Sequence, residues 1–291
     1  MEIRVLKYFI TIAREQNISA AAERLHLSQP TLSRQIKDME EELGKQLFIR
    51  GNRKITLTEE GMILKKRAEE ILELVEKTEN EIMVSNKFIS GNISIATGEV
   101  DSIRFVINVI KRLNEQYPDI HYNIISGDSG DIIEKLDKGL FDFGILVGNI
   151  DISKYNYITL PIKDTWGVLM RRDSSLCEKE FITPQDLWDK PLIVSRQAIK
   201  GNDLQKWLMK EISELNIIAH YNLLYNASLM VDEGLGYALC LDKIVNVANT
   251  NICFRPFCPK LEVSVNIVWK KYQIFSRASE KFLQKLKEVL Q

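Results

Sequence analysis

Cysteine and histidine are scarce in this chain, and those present do not stand at metal-ligand spacing. Cys177, Cys240, Cys253 and Cys258 form no CxxC, and His26, His121 and His220 lie far from them and from one another. A bound metal is therefore not expected. Cys253 and Cys258 flank Phe254-Arg255-Pro256-Phe257 and could form a redox pair, but ordinary buried thiols are the stronger expectation. No apolar run approaches the roughly 20 residues that span a bilayer. The segment Met1–Thr11 carries Glu2, Arg4 and Lys7 among its apolar positions, unlike a secretion signal. A cytoplasmic protein without a membrane partner is the expectation. Also missing are GxSxG, a P-loop, GxGxxG and a histidine placed beside a nucleophile, so no catalytic residue is assigned.

The hydrophobic residues make up 45% and the charged ones 27%, enough to build sizeable cores in a soluble chain of 291 residues, which suits two or three compact units. The net charge of −1 conceals an asymmetry. Between residues 45 and 58 stand Lys45, Arg50, Arg53 and Lys54 with no acid among them. A local basic patch on a near-neutral chain points to one anionic surface partner.

Along the chain, Val5, Leu6, Phe9, Ile10 and Ala13 recur at helical spacing and predict a helix over 3–15. Ser19 is the expected N-cap of a short helix, Ala20 to Leu25, and Ser28 that of a longer one over 29–43, with Pro30 in its first turn and Gly44 as its stop. Two short runs around Gly51-Asn52 predict a hairpin. A long helix follows from Thr58 to about Lys87, where Leu64, Ile71, Val75 and Ile82 fall close to an a/d pattern. One narrow apolar seam on so long a helix predicts a partner helix from a second copy. Beyond Ser90 short β runs alternate with helices: Ile93–Ala96, 102–117, His121–Ile125, 131–138 and Phe141–Val147, then a second series of similar build through Tyr237–Leu241, a run at Val263–Trp269 and a terminal helix, Ser276–Leu290. Such alternation implies parallel strands with helices on both faces.

The helix pair at 19–25 and 29–43 is the most informative feature. Its turn, His26-Leu27-Ser28, is short enough for a helix-turn-helix. On the second helix Leu32, Ile36, Met39 and Leu43 are assigned to the inner face. That leaves Gln29, Pro30, Thr31, Ser33, Arg34 and Lys37 for a major groove, where Gln grips adenine, Arg grips guanine and hydroxyls reach phosphates or base edges. Polar residues alone would equally suit a solvated face. The basic hairpin directly after, placing Arg50, Arg53 and Lys54 beside the backbone or minor groove, favours DNA. Asp38, Glu40, Glu41 and Glu42 are expected at the far end of the helix, away from it.

Ala20-Ala21-Ala22, Ser28-Gln29-Pro30-Thr31-Leu32-Ser33-Arg34, Glu40, Leu43-Gly44, Leu47-Phe48, Arg50 and Leu57-Thr58-x-x-Gly61 together resemble the signature of LysR-type transcriptional regulators. Gly139 to Gly144 and Val231 to Leu239 resemble further family segments. The resemblance implies a fold of class α + α/β: a winged helix-turn-helix over 1–58, a linker and dimerisation helix over 59–89, and a two-lobed, periplasmic-binding-protein-like effector domain over 90–291. Lobe I is expected at about 90–162 and 267–291 and lobe II at 163–266, with crossing strands around 161–164 and 264–267. The resemblance further implies double-stranded operator DNA with inverted repeats, a second copy of the chain (as a dimer or dimer of dimers) and a small-molecule inducer as partners. RNA polymerase is a further candidate, and no cofactor is implied.

Ligands of open α/β sheets lie beyond the carboxyl ends of the strands. That rule selects Thr97, Gly98, Glu99 and Ser102, then Ser126, Gly127 and Asp128, then Gly148 and Asn149. From the second series it selects Ser195, Arg196 and Gln197, and Tyr225 and Asn226 at the start of a helix. Arg196 and several helix N-termini would suit a small carboxylate, whereas Glu99 and Asp128 would repel it unless the ligand were a zwitterion or Glu99 paired with Arg196. An enzyme, or a small-molecule-binding protein with a helical extension, is the alternative reading.

Overall fold

The computed structural model describes residues 1–51, 54–83 and 89–290. The chain forms two compact units, Met1–Met83 and Val84–Gln291.

The first unit opens with helix α1 (Ile3–Glu15), α2 (Ile18–Arg24) and α3 (Gln29–Leu43). The N-cap of α2 is Asn17 rather than Ser19: its side chain accepts from the N–H groups of Ser19 and Ala20, so the helix starts two residues earlier. His26 takes a left-handed conformation, φ 55°, and lets the chain reverse within three residues. Ser28 then caps α3 by accepting from Thr31 N–H, and Gly44 ends it at φ 63°. Val5, Leu6, Phe9, Ala21, Leu32 and Ile36 are among the buried residues of one small core. Leu43, assigned to the inner face, is 42% exposed in the last turn of α3. Strands β1 (Phe48–Arg50) and β2 (Ile55–Leu57) pair antiparallel, Phe48 opposite Leu57. Helix α4 (Glu59–Met83) follows and packs on α1 through buried Ala68 and partly buried Leu64 and Leu72. Gly61 in its first turn admits no side chain, since a Cβ there would stand 2.2 Å from the Leu47 carbonyl oxygen.

The second unit is a pair of α/β lobes. In the first, β3 (Gly91–Thr97) lies between β4 (Ile120–Ser126) and β5 (Phe143–Val147), parallel to both, with α5 (Ile103–Gln116) and α6 (Ser129–Asp137) connecting them. Two long antiparallel strands, β6 (Tyr155–Arg171) and β11 (Glu262–Lys270), carry the sheet into the second lobe. Their register slips between Ser264 and Asn266, opposite 160–162 of β6. Pro161, which has no N–H to give a ladder, stands in that slip. In the second lobe β7 (Leu192–Ser195) lies parallel to β8 (Ile217–Tyr221) and β9 (Tyr237–Leu241), and β10 (Ile252–Pro256) pairs antiparallel with β6. Helices α7 (Arg196–Lys200), α8 (Asn202–Leu208) and α9 (Leu224–Asp232) complete it, and α10 (Arg277–Leu290) returns to the first lobe beside α5. The crossing strands thus fall where the sequence places them.

The cysteines are arranged otherwise than expected. Cys253 is bonded to Cys177, while Cys258 and the buried Cys240 are free. Cys253 lies in β10 and turns into the core where Cys177 packs, whereas Cys258 lies beyond the end of that strand and is half-buried.

Candidate nucleic-acid interface and interlobe cleft

Helix α3 buries Leu32, Ile36 and Met39, which leaves Gln29, Pro30, Thr31, Arg34 and Lys37 exposed and Ser33 half-buried. The Thr31 and Ser28 hydroxyls are 2.7 Å apart, so Thr31 is oriented by the cap. The two cations are not free of acids, contrary to the expectation that the acids stand apart. Arg34 is 4.0 Å from Asp38 and Lys37 is 3.2 Å from Glu41, one turn on in each case. Glu40 also has a partner outside its helix. Its Oε1 accepts from the N–H groups of Leu47 and Phe48 at 2.7 and 3.2 Å and so ties the start of β1 to α3. Lys54 is exposed, Arg50 closes β1 by its backbone, and Arg53 lies outside the described residues. The head therefore offers one exposed polar helix face and one basic hairpin held to it by a carboxylate.

On α4, of the seam residues expected, Leu64 turns into the head's core and Val75 is half-buried. Ile71 is exposed, as is Ile82 at 78%. Ile63, 66% exposed, and Leu74 join them on the same side of the helix, so the outward stripe runs through 63, 71, 74 and 82.

Between the two lobes lies a cavity of about 1000 Å³. It brings together Gly98, Glu99, Asp128, Gly148, Ser195 and Arg196 of the expected set, with Gly127, Asn149 and Gln197. Five expected residues do not line it. Thr97 is buried and donates to the Gly98 carbonyl. Ser102 is buried at the start of α5, where Asp164 on the crossing strand accepts from the N–H groups of Asp101 and Ser102. Burial pushes the Asp164 carboxyl above its ordinary value, against the lowering effect of those hydrogen bonds. Ser126 is exposed at the end of β4. Tyr225, 66% exposed, and Asn226 face outward, because α9 starts at Leu224 and turns Leu224 inward instead. The sequence reading missed His220, Tyr221 and Asn222 at the end of β8, and Trp166, Asp203, Leu204 and Lys206. The strand-end rule applied to β8 would have reached the first three.

The acids of the cleft are engaged by the chain itself. Asp128 caps α6 by accepting from Asp131 N–H, Asp203 accepts from the Asn149 amide at 3.0 Å, and Glu99 accepts from Leu224 N–H. Glu99 does not pair with Arg196. Arg196, Lys206 and His220 border the same cavity without an ion-pair partner among the described residues. Tyr221 is fixed in the wall by donating to the Leu239 carbonyl.

A family model described as the bacterial regulatory helix-turn-helix protein, lysR family, matches residues 3–62, and one for the LysR substrate binding domain matches 87–291. The chain belongs to the LysR family. The HTH-type transcriptional regulator BsdA of Bacillus subtilis (strain 168) is 32% identical over 218 residues, 75% of this chain and 74% of the relative. The Hca operon transcriptional activator HcaR of Escherichia coli (strain K12) is 28% identical over 279 residues, covering 93% and 92%. The fold is that of CbnR, solved full-length in complex with its target DNA: TM-score 0.77 at 20% identity, with 99% of each chain covered. This LysR-family chain is a ligand-responsive, DNA-binding transcriptional regulator. Among the described residues no helix is long and apolar enough to cross a membrane.

Proposed function

We propose that this regulator reads inverted-repeat operator DNA with the exposed face of α3 and the basic hairpin, and is switched by a small molecule held between its lobes. The supporting observation for the reading head is the exposed run Gln29-Pro30-Thr31 with Arg34 at the start of a capped helix, above a core that buries the opposite face. A helix N-terminus with small polar groups and an arginine suits phosphate and base edges at once. The stripe through Ile63, Ile71, Leu74 and Ile82 suits a second copy, which would set two heads on the two half-sites. The cleft suits a small organic anion. Its acids already accept hydrogen bonds within the chain, so the groups left for a ligand are Arg196, Lys206, His220 and the apolar surface of Trp166 and Leu204.

Selection of binding duplexes from a random pool by the full chain tests the head. An inverted repeat is expected, and recovery of duplexes with no shared sequence would refute this reading. A reporter assay with a metabolite that raises the melting temperature of the chain tests the cleft. Arg196→Ala should abolish induction and leave operator binding intact. Unchanged induction would remove Arg196 from the site.

A further inference from the structure

Several hydrogen bonds inside the cleft join opposite lobes. Glu99 follows β3 in the first lobe, yet its Oε2 accepts from Leu224 N–H, the first amide of α9 in the second, at 2.5 Å. Gln197 follows β7 in the second lobe, yet its Oε1 accepts from Ser129 N–H at the start of α6, and its Nε2 donates at 3.5 Å to the Val147 carbonyl. Asn149 and Asp203 make a third crossing. The first N–H groups of any helix lack partners within it and must find an acceptor. Here α6 and α9 each find one on the other lobe. Each lobe thus supplies the acceptor for the other's helix, and among the described residues the chain crosses between them on the strand pair with its register slip at Pro161.

We propose that Glu99 and Gln197 form a reciprocal clasp that holds the two lobes together. Neither residue needs a ligand to complete its contacts. Opening the cleft strips an acceptor from both helices at once, so the two clasps rise and fall together. Glu99 carries more of the hold, since its acceptor is a carboxylate oxygen and its bond is the shorter, whereas Gln197 offers an amide oxygen at 3.3 Å. Closure is then a built-in state of the chain. An effector alters regulation only to the extent that it binds the clasped and unclasped forms unequally. The proposal uses the cleft as the effector site for that consequence alone.

Hydrogen exchange on the full-length protein without any ligand tests the clasp. In Glu99→Ala the Leu224 amide should exchange at least about tenfold faster, and the Ser129 amide, which loses no partner of its own, should also accelerate severalfold. Gln197→Ala should reproduce the coupling in reverse, and Glu99→Gln, which keeps an acceptor oxygen, should bring both amides back toward wild type. The Ile95 amide in the core strand β3 reports intact folding and should not change. Acceleration confined to Leu224 would make Glu99 a local helix cap and overturn the clasp, as would no acceleration at either amide. A reporter assay of the same variants separates the two ideas. Coupled exchange with unaltered basal expression and induction keeps the clasp and refutes the cleft as the regulatory site.

Discussion

Glu40→Ala should detach the hairpin from α3. Its Oε1 is the shared acceptor for the Leu47 and Phe48 N–H groups, at 2.7 and 3.2 Å. Both residues are buried, so water replaces the lost acceptor only in part. A hydrogen bond to an ionised group contributes about 1.5–3 kcal/mol. Two bonds share one oxygen here, one of them is long, and the carboxylate is half-buried, so the pair contributes about 2–3 kcal/mol rather than the sum of two full bonds. At 1.36 kcal/mol per tenfold, exchange of the Leu47 and Phe48 amides should accelerate roughly 30- to 160-fold in the full-length variant. Glu40→Gln retains an acceptor in the same place and should cost about 1 kcal/mol. A displaced hairpin removes its cations from the phosphates, so the dependence of DNA affinity on salt should flatten in Glu40→Ala, and base preference should persist in reduced form. Exchange within twofold of wild type, or equal damage from alanine and glutamine, would refute the claim that this carboxylate positions the hairpin.

Arg34→Ala should weaken binding to a selected duplex by about 1–3 kcal/mol; relaxed preference at one base pair marks a base contact, and uniform weakening with a shallower salt slope marks a phosphate contact. The double variant Ile71→Asp, Leu74→Asp places charge on the outward stripe of α4 and should shift the chain to monomer in analytical ultracentrifugation, while an unchanged assembly would exclude this stripe as the seam. Asp164→Asn tests the carboxyl at the crossing strand. Burial raises its folded pKa, so the contribution of the wild-type carboxyl is full below about 3.9 and is lost as pH rises through the raised value. Urea midpoints of variant and wild type should therefore diverge in favour of asparagine from pH 4 upward, and a difference that is flat or opposite in sign would contradict the assignment.

The head was legible because each decision there is local. Helical spacing of Leu32, Ile36 and Met39, a serine cap and a glycine stop define α3 between Ser28 and Gly44, and the structure keeps all of them. Misreadings begin where a local signal has a competitor. Asn17 outdoes Ser19 as a cap because its longer side chain reaches two N–H groups. Leu64 satisfies the a/d pattern of α4 and also the core of the head, and the core takes it. In the cleft the strand-end rule found the right loops, and most of the residues it named line the cavity, but Thr97, Ser102, Ser126, Tyr225 and Asn226 do not. Tyr225 and Asn226 follow β8 closely enough, yet the spacing Leu224, Ala227, Ser228, Val231 puts the buried face of α9 elsewhere. Ser102 was lost to a partner 62 residues away in sequence, and Glu99, which does line the cavity, bonds to Leu224, 125 residues away, instead of Arg196; no period or motif encodes such pairs.

The charge arrangement on α3 bears on how such a head can work. Arg34 and Lys37 each stand within 4.0 Å of an acid on the next turn, on side chains that are largely exposed. Exposed pairs of this kind contribute little to stability, at most about 1 kcal/mol, so folding is a weak reason to keep the acids beside them. Their effect on DNA is larger. Each acid lowers the positive potential a phosphate meets and must be pulled from its cation before that cation is fully used. On the proposed reading of α3, sequence-independent affinity of one head would thereby be held down, while the exposed Gln29, Thr31 and Arg34 would keep their capacity to discriminate base edges. A weak but selective head gains most from being doubled, since a second head on a matching half-site adds its own discrimination and its own phosphate contacts. The outward stripe on α4, in the same compact unit as that head, supplies a surface on which the doubling can occur. Asp38→Asn should consequently raise affinity for unrelated duplexes more than for the selected one. A gel shift in which both rise alike would show that Asp38 does not restrain Arg34.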